Sequence, residues 1–356
     1  MMENIPLYKP YMPKELPEIG NILHSGALAY GKWGRLFEKM IADYVGISYV
    51  VAVNSYNAAA QVALKTLGIG VGDEIITSPQ SCLASNMPLL SCGAKVVWAD
   101  IDPKTGTLAP DSVKKKISPR TRVIFHNHHC GYPGYIDEIN DLGKEKGLFV
   151  IDDCIEAFGA TYKGRVLGNT GADVSLYSFQ TVRLPNTIDG GAISFRDGDL
   201  YEKACRMRDL GVDRKTFRDQ LGEISPASDV TFPGMGVTIN EISSYIGSCQ
   251  MQDIDVLLRR QRDNAKKWTE YLSAEVGATP LGRSEISPNY WVYGLLYDKG
   301  REEGINYFRK MGYHASSVHL PNYYYSVFND AGKDLLGVRE FYNHYVALPC
   351  GWWFNR

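Results

Sequence analysis

No charge of either sign dominates this chain: 38 basic against 40 acidic side chains leave a formal net charge of −2. That balance supplies no electrostatic attraction for nucleic acid or an anionic membrane surface. No apolar run approaches the roughly 20 residues that a membrane-crossing helix needs. The opening stretch MMENIPLYKPYMPKELPEIG lacks the charged-then-apolar layout of a signal peptide, so the cytoplasm is the expected location. Seven cysteines, an odd number without CxxC spacing, argue against a disulfide framework and a zinc site. Internal repeats and low-complexity tracts are missing too, which excludes a linker-joined array. What remains is ordinary globular composition: 356 residues, 44% apolar and 22% charged, enough for one large and one smaller domain. Tyrosine is plentiful at 23 residues, which suits a polar ligand cleft, a subunit interface or a tyrosine-rich core.

Between about residues 45 and 215, short β-rich runs alternate with helical stretches. The runs are YVVAV (49–53), EIITS (74–78), KVVWADI (95–101), RVIFHN (122–127), LFVIDD (148–153), DVSLYSF (173–179) and GAISF (191–195). Several are apolar throughout, as strands covered on both faces of a mostly parallel sheet should be. Helical patterns over 57–68, 82–91, 110–116 and 136–146 lie between them. The alternation predicts a doubly wound α/β architecture with ligands at the carboxyl ends of the strands, where Asp153 and Ser178 fall. An amphipathic helix is predicted from Asn240 to about Ser273, with a break near Asp253. Beyond Pro280, YWVYGLLYD reads as a strand, EEGINYFRKMG as a helix and YHASSVH as a strand. The predicted layout is an N-terminal arm (1–20), a large α/β domain (21–240), and a connecting helix with a small α+β domain (241–356).

The segment Ser178-Phe-Gln-Thr-Val-Arg-Leu-Pro-Asn-Thr-Ile-Asp-Gly-Gly191 resembles the cofactor-lysine segment of the DegT/StrS sugar aminotransferases. Further ordered matches run along the chain: Ser25-Gly-Ala-Leu-Ala-Tyr-Gly31, GIGVGDEIITSP, GATYKGRVLGN, RMRDLGVDR and ALPCGWW. The resemblance implies an aspartate-aminotransferase-like, fold type I architecture that binds pyridoxal phosphate (PLP) or its amine form, pyridoxamine phosphate (PMP). In that family the residue five places after the serine is the lysine that links to the cofactor; here it is Arg183. A guanidinium is permanently protonated and cannot attack an aldehyde as an amine does. Any PLP or PMP is therefore expected to be held noncovalently.

The same resemblance assigns the other candidate residues. Asp153 is the carboxylate for the pyridine nitrogen, which keeps the ring an electron acceptor. Ser178 supplies a phosphate-binding hydroxyl. Tyr56 and Asn57 stand where the family has a small residue and a threonine beside the phosphate. Tyr56 hinders close approach of backbone to an anion, and Asn57 is a candidate helix cap or anion donor. Cys82 aligns with the residue that lies on the ring. Glu156 replaces a neutral or switchable group and is expected to pair with Arg183, the alternative being two unrelated surface-facing residues. Asn240 matches an asparagine that reaches into a neighbouring subunit's site, while Thr238 replaces the basic residue two places before it. The substrate end draws on Tyr30, Trp33, His319 and Tyr323.

His126, His128 and His129 raise the question of a metal. Neighbours on an extended run point in alternate directions, and no third ligand is spaced to join them, so packing or a loop role is expected. The functional expectation is a homologue acting on a nucleotide-linked keto or amino sugar. Its alternatives are a noncatalytic sugar-binding or partner subunit, and a PMP-dependent sugar dehydratase. The matched Asn240 implies a homodimer with shared active sites, or a heterodimer with a paralogue.

Overall fold

The computed structural model describes residues 4–273, 277–328, 332 and 334–354. All seven predicted runs are strands of one sheet: β1 (Tyr49–Val53), β2 (Glu74–Thr77), β3 (Lys95–Trp98), β4 (Thr121–Asn127), β5 (Phe149–Asp153), β6 (Val174–Ser178) and β7 (Gly191–Phe195). Their order is β1-β7-β6-β5-β4-β2-β3. Strands β2 to β6 pair in parallel, and β7 runs antiparallel to both β1 and β6. Alternate residues feed opposite faces, as the period of two demands. Val51 and Val53 enter the core under the helix Tyr56–Thr66, whereas Val50 and Ala52 enter the core under the helix Lys32–Val45. With both faces covered, β2, β6 and β7 are buried along their whole length.

The long helix spans Glu241–Leu272 without the break expected near Asp253. No proline interrupts it, and Asp253 takes a hydrogen bond of 2.6 Å from the Tyr11 hydroxyl instead of ending the helix. Its middle packs Met251, Ile254 and Leu258 against Phe37 and Ile41; its last turns bury Ala265, Trp268 and Leu272 in the C-terminal core. That C-terminal unit is an antiparallel sheet of Ala278–Pro280, Tyr293–Tyr297 and Tyr345–Leu348, with helices Arg301–Lys310 and Leu336–His344. The stretch 313–319, expected as a strand, makes only isolated bridges, Tyr313 to Ile5 and Ser316 to Ala347. The N-terminal arm is packed down: Leu7 is buried, and Tyr8 stacks on Trp291 at 4.7 Å.

Candidate functional site

Strands β4 and β5 run parallel with His126 opposite Asp152 and Asn127 opposite Asp153. Successive side chains point to opposite faces, so the two aspartates serve different surroundings. Asp152 takes His126 Nδ1 at 3.1 Å, the Thr170 hydroxyl at 3.1 Å and His128 Nε2 at 3.6 Å. Burial opposes its charge, yet His128 and His126 hold it below the usual carboxylate range. Strand pairing thus supplies the third group that sequence spacing missed. His128 Nδ1 also accepts the Gly134 amide at 3.1 Å, which fixes the turn after β4.

Asp153 faces the carboxyl end of the sheet and is fully buried. It accepts three hydrogen bonds: from Asn127 Nδ2 at 2.7 Å, the Ile155 amide at 3.2 Å and the Tyr56 hydroxyl at 2.6 Å. Tyr56 begins the helix after β1, whose N-cap is Ser55, with Oγ accepting the Ala58 amide at 3.1 Å. Asn57, a predicted candidate for that cap, is instead exposed on the first turn. Ser55 fits better because its backbone is extended at the residue before the helix, where a short hydroxyl reaches the third amide. Gly191 brings Tyr56 close to the sheet: a Cβ there would lie 2.7 Å from the Ser55 carbonyl oxygen and 3.0 Å from Tyr56 Cα. Burial, and then the Asp153 charge, push the Tyr56 hydroxyl well above its ordinary pKa, so it remains a donor.

Glu156 follows β5 by three residues and is buried. His319 Nε2 lies 2.7 Å from its Oε1, Arg183 Nη1 lies 3.4 Å from the same atom, and the Cys130 amide donates to Oε2 at 2.9 Å. Burial alone would raise its pKa, but His319 and Arg183 overcome this and hold it at about 2. Arg183 is 7% exposed, and its guanidinium lies over the Trp291 ring at 4.2 Å. The Trp291 indole N–H donates to the Val182 carbonyl at 2.9 Å and so fixes the platform. Cys82 precedes the helix Leu83–Ser91, with its sulfur within 4.8 Å of ligating atoms of Glu156 and His319. Burial, then Glu156, push its thiol up to about 11, so it is protonated and a poor nucleophile at neutral pH.

The remaining predicted residues lie around this centre or away from it. Ser178 ends β6, and its Oγ accepts the Gln180 amide at 3.4 Å. Asn240 is the exposed N-cap of the long helix, accepting the Ser243 amide at 2.8 Å. Tyr30 makes its contacts elsewhere, donating to Glu38 at 2.5 Å beneath the Arg208 guanidinium, and Trp33 packs edge-on to Tyr245. Tyr323 sits beside Tyr324 on a short 3₁₀ turn. Sequence reasoning missed Trp291 and Asn127. Asn322 ties the His319 segment to the cleft floor by accepting from Asn86 Nδ2 at 2.9 Å and donating to the Ser81 carbonyl at 3.1 Å. The parallel register was the one signal that would have found Asn127.

Residues 12–354 match the model of the DegT/DnrJ/EryC1/StrS aminotransferase family. The chain belongs to that family. It is 29% identical to the spore coat polysaccharide biosynthesis protein SpsC of Bacillus subtilis strain 168, over 97% of this chain and 92% of the relative. The sugar aminotransferase CalS13 from Micromonospora echinospora is 30% identical, with a TM-score of 0.91 over 99% of this chain and 96% of that structure. Spr1654 from Streptococcus pneumoniae, solved in PLP and PMP forms, shares the fold at 21% identity, with TM-scores of 0.88 and 0.89; the matches cover 98% and 99% of this chain and 94% of each Spr1654 chain.

In this family member the residues do not fit PLP. No lysine is buried among the described residues. Asp153, which the resemblance assigns to the ring nitrogen, is engaged by Tyr56, and Arg183, which the resemblance aligns with the linking lysine, is paired with Glu156.

Proposed function

We propose that this family member recognises a nucleotide-linked sugar and does not transaminate it. The observation that supports this most is the Arg183–Glu156–His319 cluster, with Arg183 and Glu156 buried, where the resemblance places the linking amine. A guanidinium has neither a free electron pair to form a bond with an aldehyde nor a proton it releases near neutral pH. Losing a positioned base alone typically costs ~10²–10⁴-fold in rate. The neighbouring polar groups suit a sugar nucleotide: His319 and Arg183 are able to engage hydroxyls and phosphate oxygens. The printed roles of SpsC in polysaccharide biosynthesis and of CalS13 as a sugar aminotransferase support the same ligand class. We take the working unit to be a dimer with shared clefts, either of identical chains or with an active paralogue. In the second case this chain acts as a binding partner.

A panel of nucleoside diphosphate sugars, tested against the matching free nucleotides by thermal shift and calorimetry, checks the reading. At least one sugar nucleotide should raise the melting temperature beyond its nucleotide, with amino transfer from glutamate to a keto sugar at background. Failure of the whole panel to bind, or amino transfer at an enzyme's rate, would overturn it.

A further inference from the structure

We infer that Tyr56 is a built-in substitute for the cofactor ring, and that with Arg183 it bars both PLP and PMP from the cleft. The inference deepens the proposed function and rests on it only in taking this cleft as non-transaminating. A six-membered ring bound here needs a carboxylate at one end, a packing surface on its face and a helix N-terminus at the phosphate. Tyr56 spans these three points itself. Its backbone starts the helix that follows β1. Its ring is buried in the apolar cluster that includes Ile155 and packs Cys82. Its hydroxyl meets Asp153 at 2.6 Å.

A phenol and a pyridinium share ring size, planarity and a donor aimed at a carboxylate, so one replaces the other without leaving Asp153 unsatisfied. The exchange also explains how a buried carboxylate is kept in a chain that has lost the linking lysine. Without the Tyr56 hydroxyl, Asp153 would keep the Asn127 and Ile155 donors but lose its shortest hydrogen bond while staying fully buried. Gly191 is part of the same device, since any side chain there would push the Ser55–Tyr56 backbone away from β7. Cys82, which packs against the Tyr56 cluster, has its sulfur within 4.8 Å of a Glu156 carboxylate oxygen, and Glu156 in turn is paired with the Arg183 guanidinium on Trp291.

Equilibrium dialysis and fluorescence titration with PMP test this on the full chain, because PMP needs no lysine and does not react with surface amines. The wild type and Tyr56→Phe, which keeps the ring, should both fail to bind PMP at submillimolar concentration. Tyr56→Gly should gain at least about tenfold in affinity, since it frees both the ring's space and one acceptor site of Asp153. Stoichiometric, submillimolar binding of PMP by the wild type would overturn the inference. So would a Tyr56→Gly chain with a native circular dichroism spectrum and no gain. Should Tyr56→Gly not fold, the wild-type and Tyr56→Phe titrations decide alone. Sugar-nucleotide binding fails independently of these results: PMP binding by the wild type sinks the substitute ring and leaves sugar recognition standing.

Discussion

At the scale of single residues, the Glu156 carboxylate is the most heavily constrained charge in the cleft. It is nearly inaccessible, yet His319 and Arg183 keep its pKa near 2 against an ordinary 4.5. A depressed carboxyl pKa adds stability that is complete above the unfolded value and is lost as pH falls toward the folded one. The window here runs from about pH 4.5 down to about 2. Glu156→Gln should therefore cost about 3 kcal/mol at pH 7, because the guanidinium stays buried without its counter-charge. Urea midpoints at pH 7 and pH 3 check this. The gap between variant and wild type should shrink at the lower pH, and an unchanged gap would mean that Glu156 is not an anion in the folded chain.

At the scale of elements, the long helix Glu241–Leu272 joins two cores, and its seat depends on one small residue. A Cβ at Gly247 would lie 2.6 Å from Phe37 and 2.7 Å from the Thr187 methyl. The helix therefore rests against Lys32–Val45 more closely than a side chain permits. Gly247→Ala gains helix propensity on its own, but overpacking costs about 1–3 kcal/mol and should win. The expected result is a lower denaturation midpoint, partly restored by Phe37→Leu in the same chain. A neutral or stabilising Gly247→Ala would show that the two helices can shift apart freely.

At the scale of the whole molecule, the C-terminal unit is latched to the large sheet by polar contacts as well as apolar ones. Asp100, just past β3, accepts the amides of Gly337 and Val338 at 2.9 Å each, placing an anion at the start of the helix Leu336–His344. The Tyr132 hydroxyl takes the Gly294 amide at 2.8 Å across the same junction. Between them, Trp98, Ile101, Trp291 and Tyr345 share one buried cluster. Asp100→Ala should remove about 1–2 kcal/mol and expose the 336–344 helix first. Hydrogen exchange should rise there while β4 and β5 stay protected, and uniform exchange would show that the latch is not local. Among the described residues no helix is long and apolar enough to cross a membrane.

The sequence by itself determined the seven strands, most of the helices and the family, because apolar periodicity and ordered motifs are properties of neighbouring residues. It also placed an arginine at residue 183, where the resemblance leads one to expect a lysine. Tertiary structure alone decided which groups meet: the Tyr56 phenol on Asp153, His319 on Glu156, and Asp152 as third partner to two histidines. Those contacts join residues up to 163 positions apart. They are set by parallel register and by the packing of the C-terminal unit over the strand ends, and no local pattern carries that information. The continuity of the long helix was settled in the same way, by cores at both ends that outweigh a polar stretch at its centre.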